Sequence, residues 1–192
     1  MQAVKRRFFA MRNGDLAAQM ARGGISYRIN FGLNLPQISD IAQAALTGTL
    51  PDNSHKPDDE ERRTLARLLW DNTTTRESRL TAPMLLTPDD LDNESASEML
   101  RGVMTTEEAD VLCHRLLRHY PGAEEIAHRI LADSGVTDLR RYAALRLLLN
   151  LLISGRGFIP AIEAAVRTES ERGCRLTASV CRQLREEIEF RI

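Results

Sequence analysis

Few residues in this chain have the type and spacing to do chemistry, so each can be weighed separately. Asp110, in TTEEADVLCHRL, lies four residues before His114 and shares a helix face with it. A carboxylate and an imidazole at that spacing suggest a metal site. However, HExxH is absent, and the remaining histidines, His55, His119 and His128, supply no third ligand at a suitable distance. No metal and no cofactor is therefore expected. In the first turn of a helix, Asp110 would also favour the dipole without any catalytic role. Arg140 and Arg141, in TDLRRYAAL, pose the opposite problem, because two cations in a first turn oppose the helix dipole and call for an anion. Asp138, Asp133, a neighbouring carboxylate or a bound phosphate would serve. Nucleophilic chemistry finds little support: GxSxG is absent, and Cys113 and His114 are adjacent, about 100° apart around a helix. Gly23-Gly24 lacks the following Lys-Ser/Thr of a phosphate-cradling loop, which argues against nucleotide hydrolysis.

The elements that must position these residues are helical. Leu, Ala, Arg and Glu dominate, aromatics make up 5%, and β-branched runs are nearly missing. Net charge is -1, so any basic surface must be local. Lys5 and Lys56 are the chain's lysines, and arginine supplies the rest of its 26 basic residues. Arginine suits bidentate contact with phosphate and carboxylate. The clearest basic block is residues 1–35, where Lys5, Arg6, Arg7, Arg12, Arg22 and Arg28 face Asp15 alone. Within it, residues 3–22 have helical spacing broken at Asn13-Gly14, and Phe8, Phe9 and Met11 are expected to point inward. A turn at Gly32 leads into a helix with Pro36 in its first turn.

Residues 47–58 read as a linker or long loop. Beyond them, helix pairs recur. First members start near Asp59, Asp90, Gly122 and Phe158, spaced 31, 32 and 36 residues; second members start near Thr75, Thr105, Thr137 and Gly173, spaced 30, 32 and 36. Thr74 with Glu77 and Thr105 with Glu108 have the spacing of a capping box. The most apolar member is TDLRRYAALRLLLNLLISG: from Tyr142 to Ile153 only Arg146 and Asn150 are polar, so this helix must be buried on most sides. Its apolar run falls short of the roughly 20 residues that span a bilayer. Thr137 is expected to cap it and Gly155 to close it, while Pro83 should kink the helix that begins at Thr75. Cys113, Cys174 and Cys181 form no CxxC pair and read as reduced core residues. With no apolar leader in MQAVKRRFFAMRNG, the expectation is a soluble cytoplasmic protein with no membrane partner. The helix pairs predict an all-α fold, a right-handed α-solenoid of HEAT-like antiparallel pairs over 59–192 behind an N-terminal helical cap at 1–46. Charges on most faces of CRLTASVCRQLREEIEFRI suit a terminal cap.

Taken together, RRFFAMRNG, FGLNLPQISDIA, LWDNTTTRESRLTAPMLL and LRRYAALRLLL resemble the HEAT-like repeat family of DNA alkylation-repair enzymes, the alkylpurine DNA glycosylases. The Gly32-to-Pro36 turn and Trp70 followed by Arg76 and Glu77 carry the likeness, which extends over about residues 28 to 165. It implies a concave basic surface that holds duplex DNA by its backbone and excises cationic alkylated purines. Asp110 falls where the family has its aspartate and Arg141 where it has its arginine. Trp70 and Tyr142 are the candidate cleft aromatics, and Arg6, Arg7, Arg79, Arg140, Arg141 and Arg146 the candidate DNA contacts. An aspartate beside a cationic base would oppose the positive charge that develops on the sugar as the glycosidic bond breaks. Thr106 stands where the family has a tryptophan one turn before its aspartate, so the resemblance supports DNA binding further than it supports excision. A competing expectation is a non-catalytic HEAT-like scaffold with a protein partner. The acidic segments 58–61, 89–98 and 186–189 favour it, because they would repel DNA from any groove they lined.

Overall fold

The computed structural model describes residues 1–25, 27–51 and 53–191. Within them the chain is all-α, with eleven α-helices and no strand. It divides into two compact units, Met1–Asp90 and Leu91–Ile192.

The first unit holds α1 (Gln2–Ala10), α2 (Gly14–Arg22), α3 (Leu35–Thr47), α4 (Asp59–Trp70) and α5 (Arg76–Leu85). Local chemistry sets their starts: the side chains of Asn13, Asn34 and Asp58 each accept from a backbone N–H of the first turn they precede. The Asn13 cap explains why the basic N-terminal stretch forms two helices instead of one. Gly32, at φ 71°, brings the chain against that cap; a Cβ there would lie 2.0 Å from the Asn13 carbonyl oxygen. Phe8 is fully buried, but Phe9, expected to face inward with it, is 56% exposed. Adjacent positions on a helix differ by about 100°, and Phe9 instead meets Phe31 edge-on and carries the Arg12 guanidinium at 4.0 Å from its ring centre.

α5 is the core of this unit and packs against α3 and α4. All of its residues but Met84 are buried, charged ones included, and it continues through Pro83 to Leu85. Glu77 does not cap α5 as its spacing suggested. Its carboxylate turns inward, accepts the N–H groups of Phe31 at 3.1 Å and Leu33 at 3.3 Å, and pairs with Arg76 at 3.2 Å. Those N–H groups belong to a loop without a ladder partner, so the buried carboxylate takes over the work of secondary structure.

The second unit holds α6 (Asn93–Arg101), α7 (Thr106–Arg115), α8 (Ala123–Ala132), α9 (Asp138–Ile153), α10 (Ile159–Glu171) and α11 (Arg175–Arg191). α9 packs against α7, α8 and α11, as its nearly all-round apolarity requires. Gly155 follows it at φ 70°, the left-handed conformation expected there. Thr137 stands at its N-cap position without a side-chain cap bond. α10 packs on α11. Thr177, Val180, Cys181, Leu184 and Ile188 of α11 are buried, which gives this charged helix one inward stripe. Among the described residues no helix is long and apolar enough to cross a membrane.

Candidate functional site

The groups able to do chemistry together lie in the second unit, where α7 faces α9. Thr105 caps α7, its hydroxyl accepting from the Glu108 N–H at 3.1 Å, so the first-turn acids are Glu107 and Glu108. Asp110 therefore sits a turn into the helix, and helix-dipole stabilisation does not account for it. On α9, Tyr142 and Arg146 are one turn apart and share a face. Tyr142 donates its hydroxyl to Asp110 Oδ1 at 2.9 Å, and Arg146 Nε lies 2.9 Å from the same oxygen. Arg146 also donates through Nη1 to Gln183 Oε1 of α11 at 3.0 Å. Asp110 is 38% exposed and Arg146 28%, so the pair is reachable from outside.

Partial burial pushes the Asp110 carboxyl up from its ordinary value; Tyr142 and Arg146 pull the other way, and nearby Glu107 adds to the rise. Burial and the Asp110 charge likewise raise the Tyr142 phenol, which stays a proton donor. The arrangement is a carboxylate oriented through one oxygen by a neutral donor and a cation. Such a group can oppose a developing positive charge or accept a proton. Beside it, a groove of about 490 Å³ is lined by Arg146, His114, Asn150, Gln183, Glu186 and Glu187, among others. Cys113 lies beneath, fully buried; its thiol donates to the Ala143 carbonyl and is pushed far up by desolvation, so it is no nucleophile.

The other candidates have different surroundings. Arg141 is 4% exposed; it donates to the carbonyls of Leu131 at 3.1 Å and Asp133 at 2.7 Å and pairs with Glu169 of α10 at 3.3 Å. Arg140 donates through Nε to the Arg101 carbonyl at 2.9 Å. The anion that Arg141 calls for is thus Glu169, with two carbonyls, while Arg140 meets a third carbonyl. Asp138 instead approaches Arg172 at 3.9 Å, and the Asp133 carboxylate accepts from Gly135 N–H at 2.9 Å. In the first unit, Arg79 is 2% exposed, lies 3.6 Å over the Trp70 ring and donates to the Trp70 carbonyl, so one face of that aromatic is already covered. Arg6 is exposed and Arg7 half-buried on α1. Thr106 opens α7 one turn before Asp110. Among the described residues no group of three or more His, Cys, Asp or Glu is placed to hold a metal ion.

Sequence reasoning missed Glu169 and Gln183. Each meets its arginine from 28 and 37 residues away, on helices whose register no local spacing reveals. Tyr142 was legible as an aromatic, but not as the donor that orients Asp110.

No curated protein and no solved structure matches the chain significantly. The family model described as DNA alkylation repair enzyme matches residues 4–150, a span that contains Asp110, Tyr142 and Arg146 and ends before α10. With most of its length covered by that match, the chain belongs to the DNA alkylation repair enzyme family.

Proposed function

We propose that this chain binds duplex DNA and acts on alkylated purines, with Asp110, Tyr142 and Arg146 forming the working site. The observation that carries this reading is the carboxylate itself: half-exposed, raised by burial, and gripped through one oxygen by a phenol and a guanidinium inside the family-matched span. A carboxylate held this way stands ready to oppose the charge that grows on a deoxyribose as a cationic base departs. Arg146 has a second role in this reading, offering its remaining N–H groups to a phosphate at the groove edge. Arg6, Arg7 and Arg140 are the further backbone contacts. Arg141 supports the site's helix from within through its Glu169 pair, whereas Arg79 is engaged with Trp70 inside the first unit. The recurrent helix pairs are read as HEAT-like antiparallel pairs, each unit offering its own arginines to the duplex.

A second reading has a specific observation behind it. Glu186 and Glu187 line the groove opposite Arg146, as the acidic segment 186–189 suggested, and a DNA backbone would meet their repulsion. That favours a scaffold whose groove takes a basic partner. Incubation with duplex DNA carrying an alkylated purine separates the two. Release of free base by the wild type and its loss in Asp110→Asn support the first, whereas no release together with no duplex affinity at low salt leaves the second.

A further inference from the structure

Beyond Asp110, the end of α7 and the turn after it gather two guanidinium groups and two imidazoles, with Glu186 and Glu187 across the groove. Arg118 Nε donates to His119 Nε2 at 3.0 Å, and Arg118 Nη1 lies 3.4 Å from His114 Nδ1. Arg156, from the loop after α9, donates to the carbonyls of Arg118 and Tyr120, which brings a second guanidinium to the same turn. Among the described residues neither Arg118 nor Arg156 is within ion-pair distance of an acid, in contrast to Arg146, Arg141 and Arg129 of the same unit. A nitrogen that accepts from Arg118 must carry a lone pair, so His119 is held neutral with its proton on Nδ1. Burial and the charges of Arg118 and Arg156 push its protonation down in the same direction.

Two guanidinium groups brought to one turn, with no acid among the described residues within ion-pair distance of either, repel each other, a cost that an incoming anion would offset. We infer that Arg118, His119 and Arg156, with His114 at their edge, form a phosphate-binding subsite on the second unit, one helical turn and more beyond Asp110, which receives a backbone phosphodiester of the DNA. The inference rests on the DNA reading for the source of its phosphate. Chemistry supports the class of ligand: guanidinium forks match phosphate oxygens, and a neutral imidazole becomes a further donor on taking up a proton. His114 ties the subsite to the groove, since its Nδ1 lies 3.4 Å from Asn150 Oδ1 and both residues line that groove with Arg118. The remaining charged groups facing it are Arg146 and Asp110 from the α7–α9 face and Glu186 and Glu187 from α11. Of these, Glu187 is paired with Arg191 at 2.6 Å. Because phosphate stabilises protonated imidazole, binding at the subsite strengthens as pH falls through the histidine range.

Two measurements on the full chain test this. In the first, sulfate, whose charge is constant over the range, is titrated against a chloride control of equal ionic strength while the His119 imidazole is followed by NMR. In the second, duplex affinity is measured against salt at pH 6 and pH 8 for the wild type, Arg118→Gln and Arg156→Gln. The expected results are an apparent His119 pKa raised by about 0.5 or more in sulfate, and a salt slope reduced by about one phosphate in either variant, with the pH dependence of affinity diminished. If sulfate leaves His119 unmoved, there is no anion subsite and the inference is overturned. If sulfate acts but both variants keep the wild-type slope, the subsite does not take a DNA phosphate and the inference is again overturned. A wild type that binds sulfate yet no duplex overturns the DNA reading while leaving a subsite for a small phosphate.

Discussion

Two arginine–carboxylate pairs on the same helix show how burial changes what a charge pair is for. Arg141 and Glu169 are 4% and 2% exposed, and Glu169 also accepts from Thr177 Oγ1 at 3.1 Å and meets Arg172 at 3.4 Å. With its partners supplied from α9, α10 and α11, this pair behaves as a fastening within the unit. Five residues further along, Arg146 meets Asp110 with 28% and 38% exposure, and the carboxyl is raised from its usual value. A pair sealed from solvent has nothing to offer a ligand. An open pair with a strained protonation balance does, at some cost to stability.

The largest effect should come from breaking the sealed pair. Glu169→Ala strands the buried Arg141 guanidinium and is expected to destabilise the second unit by about 3–5 kcal/mol; chemical denaturation checks it, and a loss below about 1 kcal/mol would make the two pairs equivalent. Tyr142→Phe removes one donor from the open pair and should cost about 1 kcal/mol. Because the phenol's hydrogen bond favours the carboxylate, its removal should drive the Asp110 carboxyl further up, which an NMR pH titration of that carboxyl reads directly. The smallest stability effect is expected for Asp110→Asn. A carboxyl raised on folding contributes stability below its unfolded pKa and loses it as pH rises through the folded one. At neutral pH the ionised Asp110 therefore opposes folding, and its amide variant should be unfolded no more easily than wild type. Unchanged melting combined with lost function marks a site residue; a clear drop in melting temperature marks a fastening.

Much of the architecture was legible because its signals are local. Asp59 opens α4, and Thr75, Thr105, Thr137 and Phe158 stand at the N-caps of α5, α7, α9 and α10, as the spacing indicated. A cap is decided by a few neighbouring residues, and so is the left-handed turn at Gly155. Partner choice is not local. Glu77 has the spacing of a capping residue, yet it serves loop amides 44 and 46 residues away, because burial made their need greater. Phe9 looked as apolar as Phe8 but is exposed, since adjacent helix positions point about 100° apart and only Phe8 falls on the buried face. For the candidate site, family resemblance singled out Asp110, and its contacts with Tyr142 and Arg146 come only from the packing of α7 on α9. The division of the chain after Asp90 leaves no mark in the repeat spacing. α5 joins the first unit because α3 packs on it and Glu77 ties it to residues 31–33.

In the proposed function, the open face around Asp110 and Arg146 meets DNA. The most direct test is a titration of an undamaged duplex against wild type and Arg146→Gln at about 50 and 200 mM salt. The account predicts wild-type binding that weakens steeply with salt and a shallower slope, by about one phosphate, in the variant. Equal slopes for the two proteins, or no wild-type binding at the lower salt, would contradict it.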